Sequence, residues 1–192
     1  MAFEIAEQLG WRLPTAVVAP MAGGSLVTKL VQGFTELQSL GWVDGELPRV
    51  SGVQAEGCAP IVQAFARGST TIEPVTPHTA ARSIAIGDPV DGRWALEALR
   101  RSGGRAVAVD DAAMRDGILT LARNAGVFAE TAGGVTVSGA RVLADDGQVG
   151  PDDEVVVCLT GQGLKTMDAL DGALPVIPVV EPRSEEHTSE LQ

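Results

Sequence analysis

The residues best able to do chemistry fall in three short, small-residue segments. The first is Pro20-Met21-Ala22-Gly23-Gly24-Ser25-Leu26. Small residues between a strand and a helix let backbone N–H groups close on an anion, and the positive end of the helix dipole favours negative charge there. A phosphate group is the natural ligand of such a turn. The spacing matches neither the dinucleotide pattern G-x-G-x-x-G nor the nucleotide P-loop with its Lys, so a tight turn needing small residues for packing is the competing reading. The second segment is Leu159-Thr160-Gly161-Gln162-Gly163-Leu164-Lys165. A hydroxyl at the carboxyl end of a buried strand sits where open α/β sheets hold ligands, and the same residue type also caps helices and forms turns. The third, Phe128-Ala129-Glu130-Thr131-Ala132-Gly133-Gly134, sets one carboxylate ahead of small residues that open a helix. Glu130 is there either a site group or a capping charge.

Other reactive side chains read as structure. His78 lies in a Pro/Thr loop and braces it rather than acting as a base. Cys158 is flanked by valine and leucine on a strand, as a small buried hydrophobe would be, whereas Cys58 lies near a helix start that would lower its thiol pKa. Two cysteines make neither a disulfide framework nor a zinc site, and no His and carboxylates have metal-ligand spacing. Trp11, Trp42 and Trp94 show no stacking pattern and read as packing or interface residues.

Four β-branched runs, 15–20, 49–54, 105–110 and 154–159, must position these segments. Each is nearly continuous in apolar residues, as strands covered on both faces are. Helical periodicity fills the intervals at 25–40, 59–67, 92–101, 111–124 and 132–145, with Leu26, Leu30, Phe34 and Leu37 marking the apolar face of the longest. Asp110 and Asp111 make a good helix entry. Strands alternating with helices predict an α/β fold: an open, mostly parallel twisted sheet with flanking helices. The irregular stretch from Pro74 to Pro89 is long enough to be functional or lid-like.

The chain has 192 residues, of which 45% are hydrophobic and 20% charged, enough for one domain with a real core. Fourteen basic residues against 25 acidic ones give a net charge of -11, which opposes encounter with nucleic acid or an anionic membrane surface. No apolar run approaches the roughly 18 residues of a spanning helix. Residues 1–9 carry helical period without an N-cap, and Gly10 stops them, as in the end of a helix that starts upstream. Residues 183–192 look like the translation of a sequencing-library adapter, and such a non-native, disordered tail is expected to lie outside the fold. Without its one Arg and three Glu the charge is -9.

Taken in order, six stretches resemble the threonine synthase family of fold-type II pyridoxal-phosphate enzymes. They are 2–10, Pro20–Leu26, Gln54-Ala-Glu-Gly-Cys-Ala-Pro60, Ser83-Ile-Ala-Ile-Gly-Asp-Pro89, Gly126–Gly134 and Val157–Lys165. The resemblance covers nearly all of residues 2–182 and implies the sheet of the large domain of such enzymes, which is similar to that of the tryptophan synthase β chain. It implies pyridoxal 5'-phosphate as cofactor, acting as an electron sink, and conversion of O-phospho-L-homoserine and water into L-threonine and inorganic phosphate. On this reading Ala22, Gly23, Gly24, Ser25 and Leu26 hold the cofactor phosphate through backbone N–H groups, and Thr160 hydrogen-bonds the pyridine nitrogen. Ile86, Gly87 and Glu130 form the site wall.

Two departures stand out. The family loop often reads Gly-Asn-Ala-Gly-Asn where this chain has Ala-Gly-Gly-Ser-Leu, and Thr131 replaces the usual Pro. The Schiff-base lysine of the family belongs to a Ser-Phe-Lys-Asp motif in its N-terminal half. This chain has only Lys29 and Lys165, neither in that motif, so no catalytic residue is assigned. The expectation is a C-terminal half, 1–182, that is inactive without its N-terminal half. A homodimer, a cytoplasmic location, and no nucleic-acid or membrane partner complete the picture. The alternatives are another fold-type II lyase, of the threonine dehydratase or cysteate synthase kind, and a non-catalytic module binding phosphate or the cofactor.

Overall fold

The computed structural model describes residues 1–174. The tail expected at 183–192, and the last eight residues of the segment 1–182, lie outside them. The elements are α1 (Ala2–Gln8), β1 (Ala16–Pro20), α2 (Ser25–Ser39), β2 (Arg49–Ala55) and α3 (Pro60–Ala66). They continue with α4 (Gly92–Arg101), β3 (Ala106–Val109), α5 (Asp111–Ala125), α6 (Thr131–Asp145) and β4 (Val155–Val157). The strands form one sheet in the order β3-β2-β1-β4, and every pairing is parallel. The fold is α/β, a parallel sheet flanked by helices.

Alternate residues of the strands enter separate cores. Val17, Ala19 and Val50 pack with Leu30, Phe34, Ile61, Leu96 and Leu99, so α2, α3 and α4 cover one face. Val18, Val53 and Ala55 pack with Met114, Val135 and Leu143, so α5 and α6 cover the other. The period-two alternation of side chains across a strand produces this division. The expectation of four doubly covered strands holds for the central pair: β1 is buried throughout and β2 almost so. It fails at the edges. All three residues of β4 and three of the four in β3 are only half-buried, because an edge strand has helices over less of its surface. β4 is also three residues long rather than six.

Helix ends follow local chemistry. The Asp110 carboxylate accepts a hydrogen bond from the Ala113 N–H at 2.7 Å and caps α5. The buried Gln54 amide oxygen accepts from the N–H groups of Ile61 and Val62, at 3.0 and 3.1 Å, and so caps α3 from the neighbouring strand. The stretch 70–91 is irregular except for a short 3-10 turn at Arg82–Ile84, yet it is pinned at several points. The Val75 N–H donates to Gly87 O at 2.9 Å, His78 N–H to Gly57 O at 2.8 Å, and Ala80 N–H to an Asp111 carboxylate oxygen at 2.9 Å. Among the described residues no helix is long and apolar enough to cross a membrane.

Candidate functional site

β1 is the strand at which the strand order reverses. The chain leaves it for β2 on one side, and β4 later returns to its other side. Open α/β sheets hold ligands in the crevice beyond the carboxyl ends of strands at such a point. Val18 pairs with Val157, so the residues after Pro20 and those just after Cys158 emerge side by side. A cleft of about 200 Å³ opens there. Ala22, Gly23, Gly24, Ser25 and Leu26 form one wall; Thr160, Glu130 and Ala132 form another, and Ser83 and Ile84 close it from the pinned loop.

The first wall is shaped by Gly24. Its φ of +100° lies in the left-handed region, and a Cβ there would stand 2.8 Å from the Ala95 methyl and 3.0 Å from Asp91 O. Glycine is the residue that meets both demands. This kink turns the chain from β1 into α2, with Gly24 as the N-cap. A Cβ at Gly23 would meet only Ile86 Cδ1, at 3.8 Å, so the space above that peptide is open. The first N–H groups of an α-helix have no intrahelical acceptor, and here they border the cleft. An open peptide surface beside a helix N-terminus suits a phosphate group. The residues present therefore fit the phosphate end of pyridoxal 5'-phosphate without the asparagine side chains common in the family. Any contribution from them would come from the backbone, which the change to Ala-Gly-Gly-Ser-Leu preserves.

Thr160 is exposed at the end of β4, across the cleft from that turn. Glu130 is the N-cap residue of α6, but its side chain makes no capping hydrogen bond. It is buried, 4% exposed, and lies 3.1 Å from Lys165 Nζ through Oε2, an ion pair whose geometry is not that of a hydrogen bond. Glu130 thus stands at the N-terminus of α6, where the capping-charge reading put it, and also faces Lys165. Ile86 is exposed beside Gly23, outside the cleft lining. Gly87 is turned back on its own loop against Val75 O. Of the three residues assigned to the site wall, the structure brings Glu130 into the cleft and leaves Ile86 and Gly87 at its margin.

Sequence reasoning missed Ser83, Ile84 and the Lys165–Glu130 pair. Ser83 and Ile84 stand in the same short motif as Ile86, but only the folding back of the loop decides which members face inward. The ion pair joins residues 35 positions apart and had no local signal. Lys29 is exposed on α2 and donates to the Gln32 side chain at 2.6 Å. The low thiol pKa expected for Cys58 is reversed: burial pushes it up. Burial also pushes Cys158 up, to about 11. Neither thiol is an activated nucleophile. Among the described residues no group of three His, Cys, Asp or Glu could hold a metal ion. A larger groove of about 460 Å³ between α2 and α4 contains none of the assigned site residues.

The family described as pyridoxal-phosphate dependent enzyme matches residues 1–161. The threonine synthase of Methanocaldococcus jannaschii is 39% identical over 170 residues, covering 88% of this chain and 42% of the relative. That of Mycobacterium tuberculosis is 37% identical over 182 residues, covering 94% and 47%. Among solved structures, the L-serine ammonia-lyase of Rhizomucor miehei superposes with a TM-score of 0.69 at 21% identity, over 90% of this chain and 54% of that one. Threonine deaminase isoform 2 of Solanum lycopersicum gives 0.68 at 19% identity, over 89% and 46%. The chain spans less than half the length of these two curated relatives.

Proposed function

The chain belongs to the pyridoxal-phosphate dependent enzymes, and from that premise we propose that it carries the cofactor-phosphate and ring-nitrogen side of a threonine synthase site. The complete reaction would convert O-phospho-L-homoserine and water into L-threonine and inorganic phosphate. The observation that carries this reading is the convergence of the 22–26 turn and Thr160 on one cleft at the strand-order reversal. The resemblance to threonine synthases over most of the chain supports the choice of substrate.

Each part of the site has a physical task. The 22–26 turn would bind the cofactor phosphate through backbone N–H groups and the α2 dipole. The Thr160 hydroxyl would hydrogen-bond the pyridine nitrogen. A neutral hydroxyl, unlike a carboxylate, does not stabilise a protonated ring, so the ring remains a moderate electron sink. When bound, the cofactor supplies that sink for carbanions formed on the substrate. Ser83 and Ile84 would screen the cleft from water.

The cofactor-bearing lysine has no candidate in this chain. Lys29 lies on the exposed face of α2, and Lys165 is engaged by Glu130. We assign that lysine, and the remaining enclosure, to the portion of the enzyme that residues 1–192 do not match. The cleft volume agrees, being about 200 Å³ against the roughly 300–1,000 Å³ of complete small-molecule sites. The partner we propose is the N-terminal half of the same enzyme, and we propose a cytoplasmic homodimer as its setting. By itself the chain is expected to bind pyridoxal 5'-phosphate reversibly without turning over substrate.

The test is to supply the chain with its N-terminal half and assay two substrates. Phosphate release from O-phospho-L-homoserine supports the proposal. Ammonia release from threonine without phosphate release would assign a dehydratase instead, the reading that the Ala-Gly-Gly-Ser-Leu turn leaves in play. Binding of the cofactor with neither activity would point to a non-catalytic module.

A further inference from the structure

Two segments far apart in sequence are laced together beneath the cleft. Ala129 and Gln162 form an antiparallel bridge, and the Glu130 N–H donates to Gly161 O at 3.0 Å. The Thr131 N–H donates to Thr166 Oγ1 at 3.2 Å. The Glu130 side chain rests so closely on Gly161 that a Cβ there would push the carboxylate aside. Gly161 directly follows Thr160, so the carboxylate is packed against the turn that presents the hydroxyl.

The charge on that carboxylate is unusual in its surroundings. Glu130 is 4% exposed, and its buried Oε2 has no hydrogen-bond partner among the described residues. Its side-chain counter-charge is Lys165, which is 64% exposed, and the N-terminus of α6 adds the favourable end of the helix dipole. Exposed ion pairs contribute little because water already solvates both charges. Here one partner is buried, and removing the cation leaves a buried charge offset by the α6 dipole alone, which favours an outward movement toward water. Such a movement would release the contact with Gly161 and change where Thr160 sits.

We propose that Glu130 and Lys165 are positioning residues: their ion pair presses the Glu130 carboxylate onto Gly161 and so fixes the Thr160 hydroxyl opposite the phosphate-binding turn. The proposal rests on the reading of Thr160 and the 22–26 turn as the two ends of a pyridoxal 5'-phosphate site. Neither residue touches the reacting atoms in this role.

The experiment uses the full 192-residue chain and two probes, pyridoxal 5'-phosphate and inorganic phosphate. Binding is followed by equilibrium dialysis and by the absorbance band of the bound pyridine ring. Lys165→Met and Glu130→Gln are each expected to weaken pyridoxal 5'-phosphate by about tenfold and to shift the ring band, while inorganic phosphate stays within about twofold. The double variant should be no weaker than either single one, and Lys165→Arg should restore both affinity and band. Circular dichroism checks that each variant retains its helices. Unchanged ring affinity and band in both single variants would overturn the proposal. So would equal loss of both probes, which marks a general role in folding. Failure of the unaltered chain to bind either probe would instead overturn the cofactor-site reading, and the positioning role with it.

Discussion

Gly24 is the residue on which the site most depends. It combines a left-handed φ of +100° with contact to the start of α4, where a methyl group would collide with Ala95. Gly24→Ala is expected to destabilise the chain by about 1–3 kcal/mol, read as a lowered denaturant midpoint. The same change should abolish phosphate binding, because the turn cannot keep its N–H groups on the cleft while relieving the clash. The glycines of this turn were legible in the sequence, since few residues can follow a strand and open a helix so abruptly. The individual geometry was not. Gly23 and Gly24 look interchangeable in the sequence, yet one leaves space for a ligand and the other packs against α4. Glu130 was visible as a carboxylate ahead of a helix. Its partner Lys165 was not, because a cation 35 residues away becomes a neighbour only when the 163–170 segment folds across the start of α6.

At the level of elements, α6 links the site to the core. It carries Glu130 at its start and packs along α5 through Gly117 and Gly134. A Cβ at Gly134 would stand 2.6 Å from Ile118 Cγ1, with Met114 O nearer still. Gly134→Ala is therefore expected to separate the two helices and cost about 1–3 kcal/mol, measurable as a shift in thermal or denaturant midpoint. It should also weaken pyridoxal 5'-phosphate, because α6 moves with its first residue. The five helix intervals and four strand intervals were readable from periodicity and β-branched runs. The half-exposure of β3 and β4 was not, because a run such as Ala-Val-Ala-Val reads the same in the middle of a sheet as at its edge. Strand order is a property of long-range pairing, and no local pattern encodes it.

For the whole molecule, an acid limb to its stability is expected. The Asp153 carboxyl is held below its ordinary value, first by the Gly150 N–H and then by the Arg49 guanidinium, which lies 2.8 Å away. Glu154 is likewise lowered by its paired hydrogen bonds from Arg12. A carboxyl whose folded pKa is depressed stabilises the fold fully above its unfolded value of about 4, and the benefit is lost as the pH falls through the folded value. Asp153→Asn should therefore lower the denaturant midpoint at about pH 7 and flatten its further fall below about pH 4. An equally steep acid fall in the variant would show that Asp153 contributes nothing to it. Both carboxylates sit just before β4 and tie it to the segment leading into β1 and to the first residue of β2.

That tie bears on the order in which the molecule can assemble. β4 pairs with β1 through Ala16–Val18 and Val155–Val157, elements at nearly opposite ends of the described chain. Closing so long a loop is entropically costly, and contacts of high sequence separation slow folding. During synthesis the 22–26 turn emerges long before Thr160, so the cleft cannot exist until almost the whole described segment has been made. A ligand that needs both walls then acts as a clock for the end of folding. Its capture marks the moment when β4 has found β1, and once bound it holds that last pairing in place.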